Sequence, residues 1–197
     1  MAVRQGAVLS PSLFSLYMNK LLISLESSGF GCNIGNYFYG ASAYADDILL
    51  LFPTRSGLQE MFNICFRYFL EHDITISTHP DPLKSKTKCM FFPYGKHEGS
   101  PTSLLMGDTP LPWVNNWPHL GNNIHTDDFQ YPGKGSLTHD LFEKRQGFIG
   151  KFHGLFQEFG FADSEIMLKM VQIYAMYFYG SQLCDYTSSA ANKLFTS

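Results

Sequence analysis

Residues 37–52 read YFYGASAYADDILLLF, an apolar and aromatic run that two adjacent aspartates interrupt. Apolar runs on either side of a polar pair predict two buried strands joined by a tight turn. An ionised carboxylate in a strand core is strongly destabilising unless it is paired, and a divalent cation is a natural partner. We therefore expect a hairpin that carries Asp46 and Asp47 at its tip, within reach of a hard cation.

The two carboxylates are not expected to be equivalent, because successive side chains of a strand point to opposite faces. Asp46 is predicted to be the principal metal ligand and Asp47 the secondary one. The alternative is an ordinary hairpin whose acidic turn is solvated.

Five short motifs, in this order along the chain, resemble those of reverse transcriptases. They are RQGAVLSPSLF at residues 4–14, YADD at 44–47, KTKCMFF at 86–92, HLG at 119–121 and FYGS at 178–181. The second is similar to the metal-binding hairpin of these polymerases, and the last to a thumb-helix sequence of non-LTR (LINE-type) retrotransposons. By this resemblance the chain is identified as a carboxyl-terminal palm and thumb fragment of a reverse transcriptase domain.

The resemblance implies RNA-directed DNA polymerase chemistry, in which two metal ions about 3.5–4 Å apart activate the primer hydroxyl and hold the triphosphate. It implies that Asp46 and Asp47 are catalytic ligands of Mg²⁺ (or Mn²⁺), and that Lys86 assists proton transfer to the departing pyrophosphate. Lys84 and Lys88 are alternatives for that lysine. A solvated basic edge that protects a strand from aggregation is the structural alternative.

The resemblance also implies a substrate pocket in which Arg4, Gln5, Gly6 and Tyr44 contact the template base and the incoming nucleotide. A glycine at position 6 would permit close approach of the backbone to a ligand. The alternative is that Gln5 and Gly6 form only a surface turn.

The net charge of −3 is unusual for a protein that holds a nucleic-acid backbone. Basic residues nevertheless concentrate late in the chain, where the resemblance implies a thumb. Lys144, Arg145 and Lys151 are predicted to contact a primer–template duplex, and a solvated helix face is the alternative. A second acidic pair at residues 127–128, near His125, is interpreted as a solvated linker and not as a metal site.

The predicted fold class is α+β, a partial polymerase palm (an antiparallel sheet with covering helices) followed by a small helical thumb. The predicted domains are a partial palm at residues 1–125, a linker at 126–135 and a thumb-like helical segment at 136–197. Periodicity predicts a helix that starts at Ser10 and ends at Gly29, a helix after a capping box at 56–59, and two closing helices separated by Gly160. Strands are predicted at residues 30–34, 37–44, 74–78, 87–92, 103–106, 111–114 and 119–124.

Composition predicts a packed core, because 45% of the residues are hydrophobic and 16% are aromatic. The four cysteines lack Cys-x-x-Cys spacing, which favours free thiols in a reducing compartment. We find no signal peptide at Met1 and no apolar run of about 18 residues. The chain is therefore predicted to be intracellular, cytoplasmic or nuclear, with no membrane partner.

In the reverse transcriptase family a third catalytic aspartate comes from a strand that precedes the RQG motif. That motif begins at residue 4 here, so we expect the strand to be missing and the chain to be inactive alone. If it is active, its partners are an RNA template with a DNA primer, deoxynucleotides and another chain that completes the palm. The alternatives are a non-catalytic remnant that binds nucleic acid or a partner, and a fragment that does not fold stably.

Overall fold

The computed structural model describes residues 9–93, 101–126 and 138–175. Three predicted features lie outside the described residues: the pocket residues Arg4, Gln5 and Gly6, the acidic pair at 127–128, and the motif at 178–181. By their contacts, the described residues fall into two compact units, one of residues 9–89 and 101–113 and the other of 90–93, 114–126 and 138–175.

The described residues combine helices with small antiparallel hairpins, which confirms the predicted α+β class. The helices are α1 Ser10–Ser27, α2 Arg55–Glu71, α3 Thr138–Phe159 and α4 Ser164–Met170, followed by a π-helical turn at Val171–Ala175. The strands are β1 Asn33–Ile34, β2 Tyr37–Phe38, β3 Ala41–Tyr44, β4 Asp47–Leu50, β5 Leu105–Met106, β6 Thr109–Pro110, β7 Asn116–His119 and β8 Asn122–His125. Each odd-numbered strand pairs with the next strand along the chain.

Helix α1 begins and ends where the sequence predicts. It starts at Ser10 with Pro11 in its first turn, where the missing amide hydrogen of proline is not needed. Gly29 lies just beyond the helix at φ +76, a left-handed conformation that glycine adopts without strain. The inner face of α1 packs on α2 to form the main core of the first unit, which consists of Met18, Leu21, Leu25, Met61, Cys65, Tyr68 and Phe69.

The capping box predicted at residues 56–59 is wrong. Helix α2 begins at Arg55, and the hydroxyl of Thr54 caps it by accepting a hydrogen bond from the Gly57 amide at 3.3 Å. The Gln59 amide group is used elsewhere: it donates to the Leu105 carbonyl and accepts from the Leu105 amide, both at 2.8 Å. Gln59 therefore pairs with β5 as a neighbouring strand would.

The strands predicted at residues 74–78 and 87–92 do not form as strands in the described part of the chain. Ile74 and Ile76 do pack against the core. Between the two segments, the Thr87 amide donates a hydrogen bond to the Ser77 carbonyl. Cys89, in the second segment, makes an isolated bridge to Trp113. Alternating polarity predicts which side chains are buried, but a strand also needs a neighbour in register.

The strand predicted at 119–124 is also wrong, because Leu120 and Gly121 form the turn between β7 and β8. Their φ angles are +47 and +78, and two successive positive φ angles are typical of a tight hairpin turn. The strand predicted at 37–44 is divided at Gly40 into β2 and β3. In both cases a glycine inside an apolar run marks the end of a strand.

The second unit is built on α3. Hairpin β7–β8 contacts this helix, and α4 and the π-helical turn contact it as well. Helix α3 ends at Phe159, before Gly160, as predicted. Asp163 caps α4, because its carboxylate accepts a hydrogen bond from the Glu165 amide at 3.0 Å.

Among the described cysteines, Cys32, Cys65 and Cys89 are free thiols, in agreement with the prediction. Burial raises the pKa of the Cys65 and Cys89 thiols from 9.0 to about 12. Among the described residues, no helix combines the length and apolar character needed to cross a membrane.

Replacing Gly40 by alanine is expected to destabilise the first unit. A Cβ atom at this position would overlap the Cα of Gly31 and the ring of Phe38, and overpacking of this kind costs about 1–3 kcal/mol. Urea unfolding followed by circular dichroism would measure the loss. Gly147→Ala is the control, because a Cβ there meets nothing within 4 Å. Equal stability of Gly40→Ala and the parent would contradict the observed packing.

The free energy of unfolding is expected to fall as pH rises from about 9 to about 12. The unfolded thiols ionise near 9.0, whereas Cys65 and Cys89 in the folded protein ionise only near 12, so alkali favours the unfolded state. Urea unfolding at a series of pH values would measure this fall. A Cys65→Ala/Cys89→Ala variant should show a shallower dependence. An unchanged slope would mean that these thiols are not desolvated.

Candidate metal-binding hairpin and basic residues

The hairpin β3–β4 is tightly closed around the predicted aspartates. Ala43 pairs with Ile48 and Tyr44 pairs with Asp47, which leaves Ala45 and Asp46 as a two-residue turn. Asp46 is therefore at the tip of the hairpin, and Asp47 is the first residue of β4. The structure thus confirms the tight turn expected from the sequence. Asp46 lies in the turn, and Asp47 lies beside it at the start of β4.

Below the tip, the apolar half of the same hairpin is attached to the core. Ile48 and Leu50 pack against the cluster that α1 and α2 form. Asp46 and Asp47 are exposed, as is Tyr44, whose side chain is 69% exposed. The apolar residues after the aspartates anchor β4, and the two carboxylates remain exposed to solvent.

The backbone at the tip is strained. Ala45 has a φ of +52, and this first position of a two-residue turn normally requires glycine when φ is positive. Hairpin β5–β6 has the same turn length, and Gly107 occupies the equivalent position there at φ +59. The first turn position of β7–β8 is also a non-glycine residue at positive φ, Leu120 at +47, so this conformation is not particular to the YADD turn.

The donors at the tip fit a hard divalent cation in type but are too few to complete its coordination. Two ionised carboxylates supply the oxygen ligands that Mg²⁺ and Mn²⁺ prefer. Within residues 9–93, 101–126 and 138–175, no group of three or more His, Cys, Asp and Glu side chains is arranged to hold a metal ion. Any further ligands of an ion at Asp46 and Asp47 must come from substrate, water or residues outside this set.

The predicted lysines lie in a separate segment that is held by the buried hydroxyl of Ser85. This hydroxyl accepts from the His79 amide at 3.2 Å and donates to the Thr87 carbonyl at 2.6 Å. Ser85 is 3% exposed, whereas Lys84 and Lys86 on either side of it are exposed. The sequence analysis did not identify Ser85, although a small hydroxyl residue between two lysines is visible there.

The three basic residues predicted to bind nucleic acid all lie on α3, in different surroundings. Arg145 is half-buried and Lys151 is exposed. The Lys144 ammonium lies 2.5 Å from the Asp140 carboxylate and donates to the Asn122 side-chain oxygen at 2.8 Å. A contact between Lys144 and a duplex stays a prediction. In the structure, the Lys144 ammonium group is instead paired with Asp140 and hydrogen-bonded to Asn122.

Asp140 was not identified by the sequence analysis, although it is central to the second unit. Its carboxylate binds Lys144 and also accepts from the Asn123 backbone amide at 2.7 Å. The spacing of an acidic and a basic residue four positions apart on a helix is visible in the sequence. The sequence does not show that the pair is buried against β8.

Comparisons with known proteins agree with the motifs. The family model for reverse transcriptase (RNA-dependent DNA polymerase) matches residues 1–133. The chain is 46% identical over 61 residues to the retrovirus-related Pol polyprotein from type-2 retrotransposable element R2DM of Drosophila melanogaster, over 31% of this chain and 6% of that protein. It is 48% identical over 58 residues to the corresponding polyprotein from type-1 retrotransposable element R2 of Nasonia vitripennis, over 29% of this chain and 6% of the relative.

The chain therefore spans a small part of the length of the curated relatives it matches. No solved structure matches it significantly.

Ala45→Gly is expected to stabilise the hairpin by roughly 1 kcal/mol, because glycine adopts positive φ without the steric penalty that alanine carries. Urea unfolding and amide exchange of the β3–β4 residues would measure the gain. The matched control is Ala43→Gly, in a paired strand position, which should destabilise the hairpin. A loss of stability in Ala45→Gly would mean that the turn is not strained.

Proposed function

The chain belongs to the reverse transcriptase (RNA-dependent DNA polymerase) family, and we propose that it is part of the polymerase of a non-LTR retrotransposon. The observation that carries this proposal is the pair of exposed carboxylates at the tip of a core-anchored hairpin. The names of the relatives support the retrotransposon origin, because both are Pol polyproteins of retrotransposable elements. The proposed reaction is template-directed transfer of deoxynucleotides to a DNA primer on an RNA template.

Asp46 and Asp47 are the residues that would hold the catalytic Mg²⁺ (or Mn²⁺). Such ions supply activation of the primer hydroxyl and neutralisation of the triphosphate when they are bound. The chain would position these two ligands through its backbone. The two-residue turn fixes the backbone of Asp46, and pairing with Tyr44 fixes the backbone of Asp47. Because Ile48 and Leu50 attach the hairpin to the core, the carboxylates need little reorganisation when the reactants arrive.

We propose substrate contacts on the basis of the motifs that resemble those of the family. Arg4, Gln5, Gly6 and Tyr44 would contact the template base and the incoming nucleotide. Lys86 would assist proton transfer to the departing pyrophosphate, and its exposure on the segment that Ser85 holds supports access to solvent and substrate.

We propose the domain assignment in its predicted form: a partial palm at 1–125, a linker at 126–135 and a thumb-like segment at 136–197. The duplex would contact the thumb-like segment through basic residues of α3. A third carboxylate would come from outside the described residues, since those residues offer two at the hairpin and no larger cluster of metal ligands. In the reverse transcriptase family a further aspartate precedes the motif that resembles residues 4–14, and we therefore expect the 197 residues alone to bind a cation without catalysing extension.

A non-catalytic binding role is the second candidate, and a specific surface favours it. Leu13, Leu16 and Ile23 share one face of α1, and their side chains are 56%, 69% and 52% exposed. Exposed apolar side chains grouped in this way are typical of a surface that another protein segment covers, and the exposed Lys20 lies among them. In this case the chain would bind a partner, and the acidic hairpin would not contribute to binding.

Asp46→Asn is expected to abolish most binding of Mn²⁺, because it removes the principal carboxylate. Isothermal titration or electron paramagnetic resonance would measure the affinity. Asp108→Asn is the matched control, since Asp108 is exposed at the second position of the two-residue turn in β5–β6. Unchanged Mn²⁺ affinity in Asp46→Asn, or equal losses in both variants, would contradict the proposed metal site.

Primer extension on a poly-rA/oligo-dT substrate tests the chemistry. We expect no extension by the 197-residue chain and Mg²⁺-dependent extension by the longer polymerase, lost in its Asp46→Ala variant. Extension by the 197 residues alone would overturn the need for a carboxylate from outside them. Persistent extension by the longer Asp46→Ala protein would overturn the assignment of Asp46.

A further inference from the structure

Helix α3 carries a buried ion pair that contacts strand β8 and that the proposed polymerase function does not use directly. The Asp140 and Lys144 side chains are 2% and 9% exposed, and their charged groups lie 2.5 Å apart. The pair lies on one face of α3 because the two residues are four positions apart. A second ion pair of this unit, Glu165–Lys169, has the same spacing but is largely exposed.

The charges of this pair are directed at two consecutive residues of β8. The Asp140 carboxylate accepts from the Asn123 backbone amide at 2.7 Å, and the Lys144 ammonium donates to the Asn122 side-chain oxygen at 2.8 Å. The Asn123 side-chain amide donates to the Glu143 carboxylate. Asn122 and Asn123 directly follow the Leu120–Gly121 turn, so the helix holds the hairpin close to its tip.

The strength of these polar contacts depends on distance and direction much more than the strength of apolar packing does. A buried charge that loses its partner is strongly destabilising, so Asp140 and Lys144 each require the other in place. A shift of β8 by one residue would reverse the faces that its side chains present, so the Asn122 side chain would lose its contact with Lys144. The pair therefore favours one register of the hairpin on α3.

We propose that Asp140 and Lys144 are positioning residues that lock hairpin β7–β8 onto helix α3, so that the basic helix and the hairpin attached to it meet a nucleic-acid duplex as one rigid body. The contact with nucleic acid rests on the proposed function, whereas the attachment of the hairpin to the helix does not. Lys144 has a role different from the predicted phosphate contact: its ammonium acts on Asn122 and Asp140. Phosphate contact is then left to other basic residues of the helix, such as Lys151.

Amide hydrogen exchange tests the lock without any nucleic acid. Asp140→Asn and Lys144→Gln should each speed exchange of the Asn123 amide by roughly 100-fold, because each removes one charge of a buried pair and leaves the other uncompensated by it. Lys169→Gln is the matched control, from an exposed pair with the same spacing on the neighbouring helix, and should leave this amide unchanged. Unchanged exchange in both lock variants would overturn the proposal.

A double variant keeps this test decisive if a single substitution unfolds the unit. Asp140→Asn/Lys144→Gln removes both charges and leaves neither buried alone, so it should fold and should lose less protection than the two single changes added together. Additive losses would show that the two residues act independently and would overturn the lock.

Salt-dependent binding of an RNA–DNA duplex separates positioning from phosphate contact. If Lys144 positions the hairpin, Lys144→Gln and Asp140→Asn should both weaken binding by a similar factor, with an unchanged slope of log affinity against log salt. If Lys144 contacts phosphate, Lys144→Gln alone should reduce the slope by about 0.9, and Asp140→Asn should not weaken binding. That second result would overturn the assignment.

Lys151→Gln is the reference variant in this experiment and should reduce the slope. Failure of the parent protein to bind the duplex would overturn the nucleic-acid half of the proposal together with the proposed thumb contact. The exchange measurements would then decide the lock by themselves, so the two failures are distinguishable.

Discussion

The two-residue turn at Ala45 and Asp46 is the constraint on which the first unit depends. It sets the register in which Tyr44 faces Asp47, and that register directs Ile48 and Leu50 to the core formed by α1 and α2. Because strand side chains alternate, a shift by one residue would turn Ile48 and Leu50 away from the core and Asp47 toward it. Core packing and presentation of the acidic tip are therefore two results of the same turn.

The chain uses its carboxylates in two opposite ways. Asp46 and Asp47 remain exposed at a strained tip, where their charge is available to a cation. Asp140 is almost fully buried, and its carboxylate pairs with the Lys144 ammonium and accepts a hydrogen bond from the Asn123 backbone amide. The first arrangement suits ligand binding, since water is easily displaced. The second suits fixed geometry, since a buried charge tolerates few alternative positions.

Predictions based on local chain geometry were confirmed more often than those based on pairing. Helix α1, the end of α3 and the acidic hairpin follow from a proline, a glycine and two apolar runs that lie close together in sequence. The strand predicted at 74–78 failed because no described neighbour pairs with it along its length. The cap of α2 was misplaced because Gln59, expected to close a capping box, hydrogen-bonds instead to the distant Leu105.

The sequence alone determined the family and the hairpin, because both depend on short motifs whose residue types and order are visible along the chain. The tertiary structure determined which charged side chains are buried and which partners they have. Lys144, Arg145 and Lys151 look alike in the sequence, but Lys144 is withdrawn into an ion pair with Asp140 beside β8. Burial and partner choice depend on which distant segments pack together, and residue types along one segment do not specify that packing.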